Sequence, residues 1–250
     1  MKNLTSVLIF IFLVGTAFAQ KSSKKGASPE TIKSEKANPA SEHLMKTYNM
    51  ALEFGDYEVA KNALFHLVVQ NPNKYTYLDS LARIYYAMGA YPQALLCAEK
   101  NMEKGGSSED MMEIKAASQR SLNMLKESLA TYETLHSTTN NVYHAYQIAV
   151  LQYNLKRLGE CIGTIGLITA DPKAAEAEIT INYGQGQGQM VPMLAALENL
   201  KGVINMDLNV KDQAKSNFEE ALKIFPEFEL AKNNLATLNK PEPPVPPKNE

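Results

Sequence analysis

Apolar and small side chains recur along the chain with a constant period. A Gly-x-Tyr-x-x-Ala frame begins at Gly55 and begins again at Gly89, 34 residues later. The frame is weaker in the next two periods, where Leu125 and Leu158 replace the tyrosine, and a fifth copy lies within residues 212–226. A repeat of this length, with apolar residues three and four positions apart, predicts a series of helix–turn–helix units.

The predicted second helix of each unit carries a small side chain one turn before the next core position. Antiparallel helices approach closely where a small residue on one faces a large residue on the other, so this spacing predicts packed helix pairs. The small residues are Ala60, Ala94, Ser128, Cys161 and Ala214. The residues four positions later are Leu64, Ala98, Tyr132, Ile165 and Phe218. Gly55 and Gly89 are predicted to make the turns, because glycine adopts positive φ freely.

One segment, residues 173–194, breaks the helical pattern. It contains two runs typical of strands, about 179–183 and 189–193, on either side of a glycine–glutamine run. Glycine there favours a tight hairpin turn. The alternative is a phosphate-binding loop, but the glycine spacing of a dinucleotide site and the Lys-Ser/Thr pair of a P-loop are both missing. We therefore predict a two-stranded hairpin, which is either part of a binding surface or a structural spacer.

The units resemble tetratricopeptide repeats, which have this period and an Ala-x3-Phe…Pro ending. Ala214, Phe218 and Pro226 match that ending, while Leu78 and Tyr85 stand in the first-helix places where the family has Trp and Tyr. The resemblance implies an all-α, right-handed solenoid of about five repeats over residues 41–239. The implied repeats are 41–74, 75–108, 109–141, 142–172 and 195–226, with the hairpin at 173–194 and a capping helix at 227–239.

The two ends of the chain differ in composition from the repeats. Lys2, an apolar run at residues 7–14 and an Ala-x-Ala site predict a secretory signal peptide at residues 1–19. An uncleaved N-terminal anchor is the alternative. A basic, disordered linker is predicted at 20–40 and a Pro-rich, disordered tail at 241–250. These features predict an exported protein, periplasmic or secreted, whose membrane association is at most peripheral.

Composition and spacing do not indicate catalysis, a cofactor or a metal site. The formal net charge is −2 and no basic stripe is present, so nucleic acid is not an expected partner. The four histidines form no pair at metal-ligand spacing within a helix. Cys97 and Cys161 fall two repeats apart, roughly 20 Å, and are predicted to be free thiols. We predict a protein without enzymatic activity.

The resemblance further implies a concave groove lined by the first helix of each unit. Carried over by position, the groove residues are Asn49, Arg83, Tyr86, Arg120, Tyr143, Tyr146, Tyr153 and Asn199, together with Glu113 and Met206. The family's clamp for chaperone tails is not expected, because Met45 and Ser80 occupy the places of its lysine and asparagine.

The groove predicts a scaffold or adaptor that binds another protein or peptide. The alternative is a protein that binds a glycan or small ligand on its tyrosines, since tyrosine offers a large apolar area with a polar tip. The tyrosines at 143, 146 and 153 have a third interpretation, which is packing against the next helix.

Overall fold

The computed structural model describes residues 39–106, 108–184 and 187–240. Within them the chain forms eleven α-helices and a two-stranded antiparallel sheet. The helices are α1 (Pro39–Glu53), α2 (Tyr57–Gln70), α3 (Tyr75–Ala87), α4 (Tyr91–Glu103), α5 (Glu109–Ser121), α6 (Leu125–Thr139), α7 (Val142–Asn154), α8 (Leu158–Ala170), α9 (Met193–Asp207), α10 (Lys211–Ile224) and α11 (Glu229–Leu238). The strands are β1 (Glu178–Gly184) and β2 (Gln187–Pro192), preceded by a 3₁₀ turn at Pro172–Ala175. This is the predicted all-α repeat fold with a small β insertion.

Three predicted segments lie wholly or mostly outside the described residues. They are the signal peptide at 1–19, the tail at 241–250, and the linker at 20–40 except for its last two residues, which begin α1. Of the helices that the structure describes, none combines the length and the apolar character needed to cross a lipid bilayer.

Consecutive helices pack as hairpins. α1 lies against α2, α3 against α4, α5 against α6, and α9 against α10, and each pair is joined by a short turn. Neighbouring hairpins meet where α2 contacts α3, α4 contacts α5, and α6 contacts α7. The described residues divide into two compact units, 39–164 and 165–240, with the boundary inside α8.

Each hairpin turns at a residue with positive φ. Gly55 (φ 68°) and Gly89 (φ 71°) hold this place in the first two hairpins, as predicted. Asn123 (φ 61°), Lys156 (φ 60°) and Asn209 (φ 60°) hold it in the later three. The turn therefore persists where glycine is lost. Asparagine enters the left-handed region at modest cost, whereas a residue such as lysine is strained there by about 1–2 kcal/mol.

The small residues of the repeat frame are buried as predicted. All five of them, Ala60, Ala94, Ser128, Cys161 and Ala214, are completely buried. In α9, Gly202 lies directly on the ring of Phe218 from α10, and a Cβ added there would come within 2.4 Å of that ring. Close approach of the two helices thus depends on small residues from both members of a hairpin.

Polar side chains pair across three hairpins at a constant separation of 12 residues. Thr131 donates to Gln119 at 2.9 Å, Thr164 to Gln152 at 2.8 Å, and Asn205 to Asn217 at 2.8 Å. Gln119 and Gln152 are buried, and a buried polar group that loses its partner costs about 1–3 kcal/mol, so the first two pairs hold the helices of their hairpins in one register.

The predicted β-hairpin packs on helices of its own unit. Ile179 pairs with Val191 in antiparallel register, both are buried, and β1 contacts α9 and α11. The Gln189 side chain accepts a hydrogen bond from the backbone N–H of Glu229 at 3.0 Å and donates to the carbonyl oxygen of Glu227. The hairpin therefore caps the start of α11 as well as covering α9.

Candidate functional site

The first helices of three neighbouring hairpins, α3, α5 and α7, are joined by polar side chains. Arg83 of α3 donates from Nη2 to Oδ2 of Asp110 in α5 at 2.7 Å. Arg120, in the last turn of α5, donates from Nη1 to Oε1 of Gln147 in α7. We call the surface shared by these helices the α3/α5/α7 face. It contains most of the residues predicted for the groove.

Arg120 lies among four tyrosines. Its cation interacts electrostatically with Tyr86 of α3, Tyr132 of α6, and Tyr143 and Tyr146 of α7. Its Nε atom is buried without a hydrogen-bond partner, although the residue as a whole stays partly exposed. We call these five residues the arginine–tyrosine cluster. The cluster thus holds one cation whose buried Nε donor is unused.

The tyrosines of this cluster do not supply a counter-charge. Burial raises the pKa of Tyr143 to about 12, although the Arg120 cation lowers it, so the phenol stays neutral at physiological pH. Burial likewise raises the pKa of Tyr86, Tyr132 and Tyr146. Among the described residues, Arg120 forms no ion pair with a carboxylate. A partly buried cation without a counter-charge is unfavourable, and it favours binding of an anionic group.

Arg83 has the opposite surroundings. Its Nε donates to Oδ1 of Asp79 at 2.9 Å and its Nη2 to Asp110. Burial lowers the pKa of the guanidinium, but the bonds to the two carboxylates outweigh burial and raise it. Arg83 therefore ties α3 to α5, and its charge is neutralised within the protein.

Most of the tyrosine area predicted for the groove is taken up by packing. Tyr86, Tyr146 and Tyr153 are only 5%, 5% and 8% exposed. Tyr86 lies edge-on to Tyr91, with ring centroids 5.6 Å apart. Tyr143 is half-buried and offers more of its surface to a partner. The packing interpretation of these tyrosines thus accounts for most of their ring area.

The two predicted asparagines have other surroundings. Asn49 is half-buried on α1. Asn199, in the other compact unit, is buried and accepts a hydrogen bond at 2.9 Å from Asn234 of α11. A role in partner binding stays a prediction for all eight groove residues.

Sequence reasoning missed a second group on the same face. Glu109 and Glu113 lie one turn apart on α5, and His144 of α7 faces them, with one ligand atom from each residue within 4.8 Å of the others. No pair of histidines one turn apart on a single helix marks this group in the sequence. The spacing of 31 residues from Glu113 to His144, close to one repeat, is the signal that could have revealed the group.

Both cysteines are free, as the repeat frame predicts, and both are buried. Burial raises the pKa of Cys97 to about 11 and that of Cys161 to about 12. Because the thiolate is the nucleophilic form, both thiols are unreactive at neutral pH in the folded protein.

No protein-family model matches the chain, and no curated protein matches it significantly. Solved structures do match. MamA (41-end) from Desulfovibrio magneticus RS-1 is similar with a TM-score of 0.61 and 13% identity, over 77% of this chain and 98% of that one. YrrB, described as a TPR protein with an unusual peptide-binding site, is similar with a TM-score of 0.59 and 14% identity, over 78% of this chain and 97% of that one. The chain has the fold of a tetratricopeptide-repeat protein.

Proposed function

We propose that the protein is a non-enzymatic scaffold or adaptor that acts outside the cytoplasm and binds a protein or peptide on the α3/α5/α7 face. The observation that carries this proposal is the Arg120 cation, which is held among neutral tyrosines without a carboxylate partner. An acidic side chain or a C-terminal carboxylate of the partner would supply the missing counter-charge.

The chemistry of arginine supports an anionic partner group. A guanidinium presents several donors in a planar fork that matches a carboxylate, and charge-assisted bonds of this kind are among the strongest in proteins. Gln147 occupies Nη1 of Arg120, while Nε is unused. Tyr143 is half-buried beside it, and its neutral phenol is hydrogen-bonded to Tyr132.

A peptide explains this site better than a glycan. Sugar binding on aromatic residues requires exposed ring faces, and Tyr86, Tyr146 and Tyr153 each expose less than a tenth of their surface. The peptide-binding site named for YrrB, whose fold is similar, supports the same class of partner.

Replacement of Arg120 tests the proposal. The probe is a set of short peptides, each made in an acidic form and in a form with Asn and Gln in place of Asp and Glu. The unaltered protein should prefer the acidic forms, and the preference should weaken with salt because charges are screened. For Arg120→Gln we expect the affinity to fall ~10-fold or more, as at an interface hot spot.

The matched control is Arg157→Gln, which removes the same charge from an exposed residue already paired with Glu160. It should bind as the unaltered protein does. Thermal melting of Arg120→Gln should stay close to that of the unaltered protein, because the removal of an uncompensated cation offsets the loss of its bond to Gln147. Unchanged binding, or a melting point lowered by several degrees, would show that Arg120 serves the fold instead.

Export is supported by the sequence of the first 19 residues. Mass analysis of the protein purified from its native cell envelope or medium should give a chain that begins at residue 20. A full-length chain in the cytoplasmic fraction would contradict export. Proteins retained with the mature chain from the same envelope fraction, and lost with Arg120→Gln, identify the partner.

A further inference from the structure

Glu109, Glu113 and His144 form a compact group of metal-ligand types on the α3/α5/α7 face. The carboxylates belong to successive turns of one face of α5, and the imidazole comes from the first turn of α7. Oε1 of Glu113 lies 2.7 Å from Nε2 of His144. Glu109 is exposed, Glu113 is half-buried and His144 is completely buried, so the group is open to solvent on one side only.

The contacts of Thr139 suit a tautomer of His144 in which Nε2, the nitrogen that faces the carboxylates, is free to be a metal ligand. Oγ1 of Thr139 donates its single proton to the carbonyl oxygen of Leu135 at 2.7 Å. The same oxygen lies 2.9 Å from Nδ1 of His144, so it can accept a hydrogen bond from Nδ1–H in the tautomer that leaves the lone pair on Nε2. In that tautomer Nε2, which faces the carboxylates, can bind a metal ion, whereas in the other tautomer it donates its proton to Glu113.

The ring of His144 is also held in place. Its centroid lies 6.1 Å from that of Tyr132 and 5.9 Å from that of Tyr143. A histidine that binds a metal through one nitrogen typically donates from the other to an oxygen, which sets the tautomer and the ring orientation. Thr139 supplies that oxygen here.

We propose that Glu109, Glu113 and His144 bind one divalent transition-metal ion, of which Zn²⁺ is the representative. Zinc takes nitrogen at about 2.0–2.1 Å and carboxylate oxygen at about 2.0–2.2 Å, so ligand atoms around one ion lie within ~4.4 Å of each other. To reach that geometry, the 2.7 Å hydrogen bond between Glu113 and His144 has to open and the exposed Glu109 has to turn toward the ion. Water completes the coordination, and the Nε2 proton leaves to solvent when the ion binds.

The donor set selects among ions. Imidazole nitrogen suits zinc and its transition-metal neighbours, whereas Ca²⁺ and Mg²⁺ prefer oxygen ligands alone. The ion would join α5 to α7 and thereby link two neighbouring repeats. This inference does not rest on the proposed function, because none of the three ligands belongs to the arginine–tyrosine cluster.

The competing explanation is a hydrogen bond between Glu113 and His144 without any metal ion. A substitution of Glu109 distinguishes the two explanations. The hydrogen bond needs only Glu113, whereas metal binding needs Glu109 as well. Glu109 is exposed in the first turn of its helix, so Glu109→Gln should fold normally. Its matched control is Glu127→Gln, which neutralises another exposed carboxylate in the first turn of a helix, α6.

The test titrates zinc chloride into the purified chain without an affinity tag, by calorimetry and by thermal melting. We expect one ion per chain and a rise in melting temperature, because a ligand bound only by the folded state stabilises it. Calcium at the same concentration should give neither effect. Glu109→Gln should lose at least ~10-fold in zinc affinity, and Thr139→Val ~10–100-fold, as expected for a residue that orients a ligand.

Glu127→Gln should bind zinc as the unaltered chain does. The proposal is overturned if zinc does not bind, if calcium produces the same rise in melting temperature, or if Glu109→Gln binds zinc with unchanged affinity. The melting temperature of Thr139→Val without zinc shows whether that variant folds. If it melts normally and keeps full zinc affinity, His144 is not the ligand that Thr139 orients, which also overturns the proposal.

Discussion

At the scale of single residues, the turn inside each hairpin depends on one position with positive φ. Gly89 has φ 71°, and a Cβ added there would meet nothing within 4 Å. The effect of a side chain at this position is therefore backbone strain alone. We expect Gly89→Ala to lower the free energy of unfolding by about 1–2 kcal/mol, measured by urea denaturation.

The control for this substitution is Gly163→Ala in α8. A Cβ at Gly163 also meets nothing within 4 Å, but this glycine is inside a helix and its φ is not positive. Alanine has a higher helix propensity than glycine by up to ~1 kcal/mol, so this variant should be more stable. A loss of stability in both variants would show that the added methyl group, and not the positive φ of Gly89, causes the loss.

Burial of the arginine–tyrosine cluster predicts a fall in stability at alkaline pH. Burial raises the pKa of Tyr143 from 10.0 to about 12, and raises that of its three neighbours. The unfolded chain loses these protons near pH 10, whereas the folded chain keeps them. The free energy of unfolding is therefore constant below that pH and falls as the pH rises toward 12.

Phenolate absorbance and circular dichroism, followed together from neutral to alkaline pH, check this dependence. Exposed tyrosines should ionise first, and the buried group should ionise only as the helical signal is lost. Full ionisation of all tyrosines by about pH 11, with the helical signal intact, would contradict the burial of the cluster.

The sequence was enough to place the two arginines, Arg83 and Arg120, on first helices, but it could not identify the carboxylates that pair with them. Asp79 is four residues before Arg83, a spacing visible in the sequence. Asp110, its second partner, comes from the next repeat and reaches it only through the packing of α3 on α5. Arg120 has no such partner among the described residues. That difference depends on side-chain geometry between helices.

At the scale of elements, the hairpin and α11 are coupled by one side chain. Gln189 of β2 bonds the backbone of Glu227 and Glu229, where α11 begins. Loss of a side chain that caps a helix typically costs ~1 kcal/mol. We expect Gln189→Ala to lower the stability of the 165–240 unit by about that amount, measured by chemical denaturation. Gln187→Ala, at an exposed position of the same strand, should have little effect.

Strand alternation was enough to predict the first strand of the hairpin, because Ile179 and Ile181 alternate with polar residues and are buried, as is Val191 in the second strand. The cap was not predictable in the same way. Gln189 and Glu229 are 40 residues apart and meet only because α9 and α10 bring the chain back. If Gln189→Ala is as stable as the unaltered protein, the cap contributes nothing, and burial of apolar side chains alone holds the hairpin on its helices.

At the scale of the whole molecule, the 34-residue period was enough to predict the fold. In a repeat protein each hairpin contacts mainly its neighbours, so the structure of one unit and its period define the rest. Small residues such as Ala60 and Ala214 could be recognised in the sequence, and they are completely buried. The division into two units inside α8 could not be predicted, since no change of composition marks residue 164. The candidate site depends on contacts between side chains of different repeats. The period predicts which repeats are adjacent, but not which of their side chains meet.

The two thiols allow the opening of the 39–164 unit to be measured at two repeats. Cys97 lies in α4 and Cys161 in α8, and both are buried and free. Burial raises the pKa of Cys97 from 9.0 to about 11, which lowers its thiolate population ~100-fold at neutral pH. We expect alkylation of the native chain to be at least ~100-fold slower than alkylation in denaturant, with mass spectrometry as the measurement.

In full denaturant without reductant, both thiols should be alkylated, and a failure there would reveal a disulfide and a wrong repeat register. Between native conditions and full denaturant, the alkylation rates of the two thiols show whether the unit unfolds cooperatively. If the unit unfolds as a whole, Cys97 and Cys161 become alkylated at the same rate as the denaturant concentration approaches the midpoint. Because neighbouring repeats support each other through α4, α5, α6 and α7, we expect this convergence. Rates that stay different at the midpoint would show that the repeats open independently. The α3/α5/α7 face, which several repeats share, would then be disrupted by the opening of a single repeat.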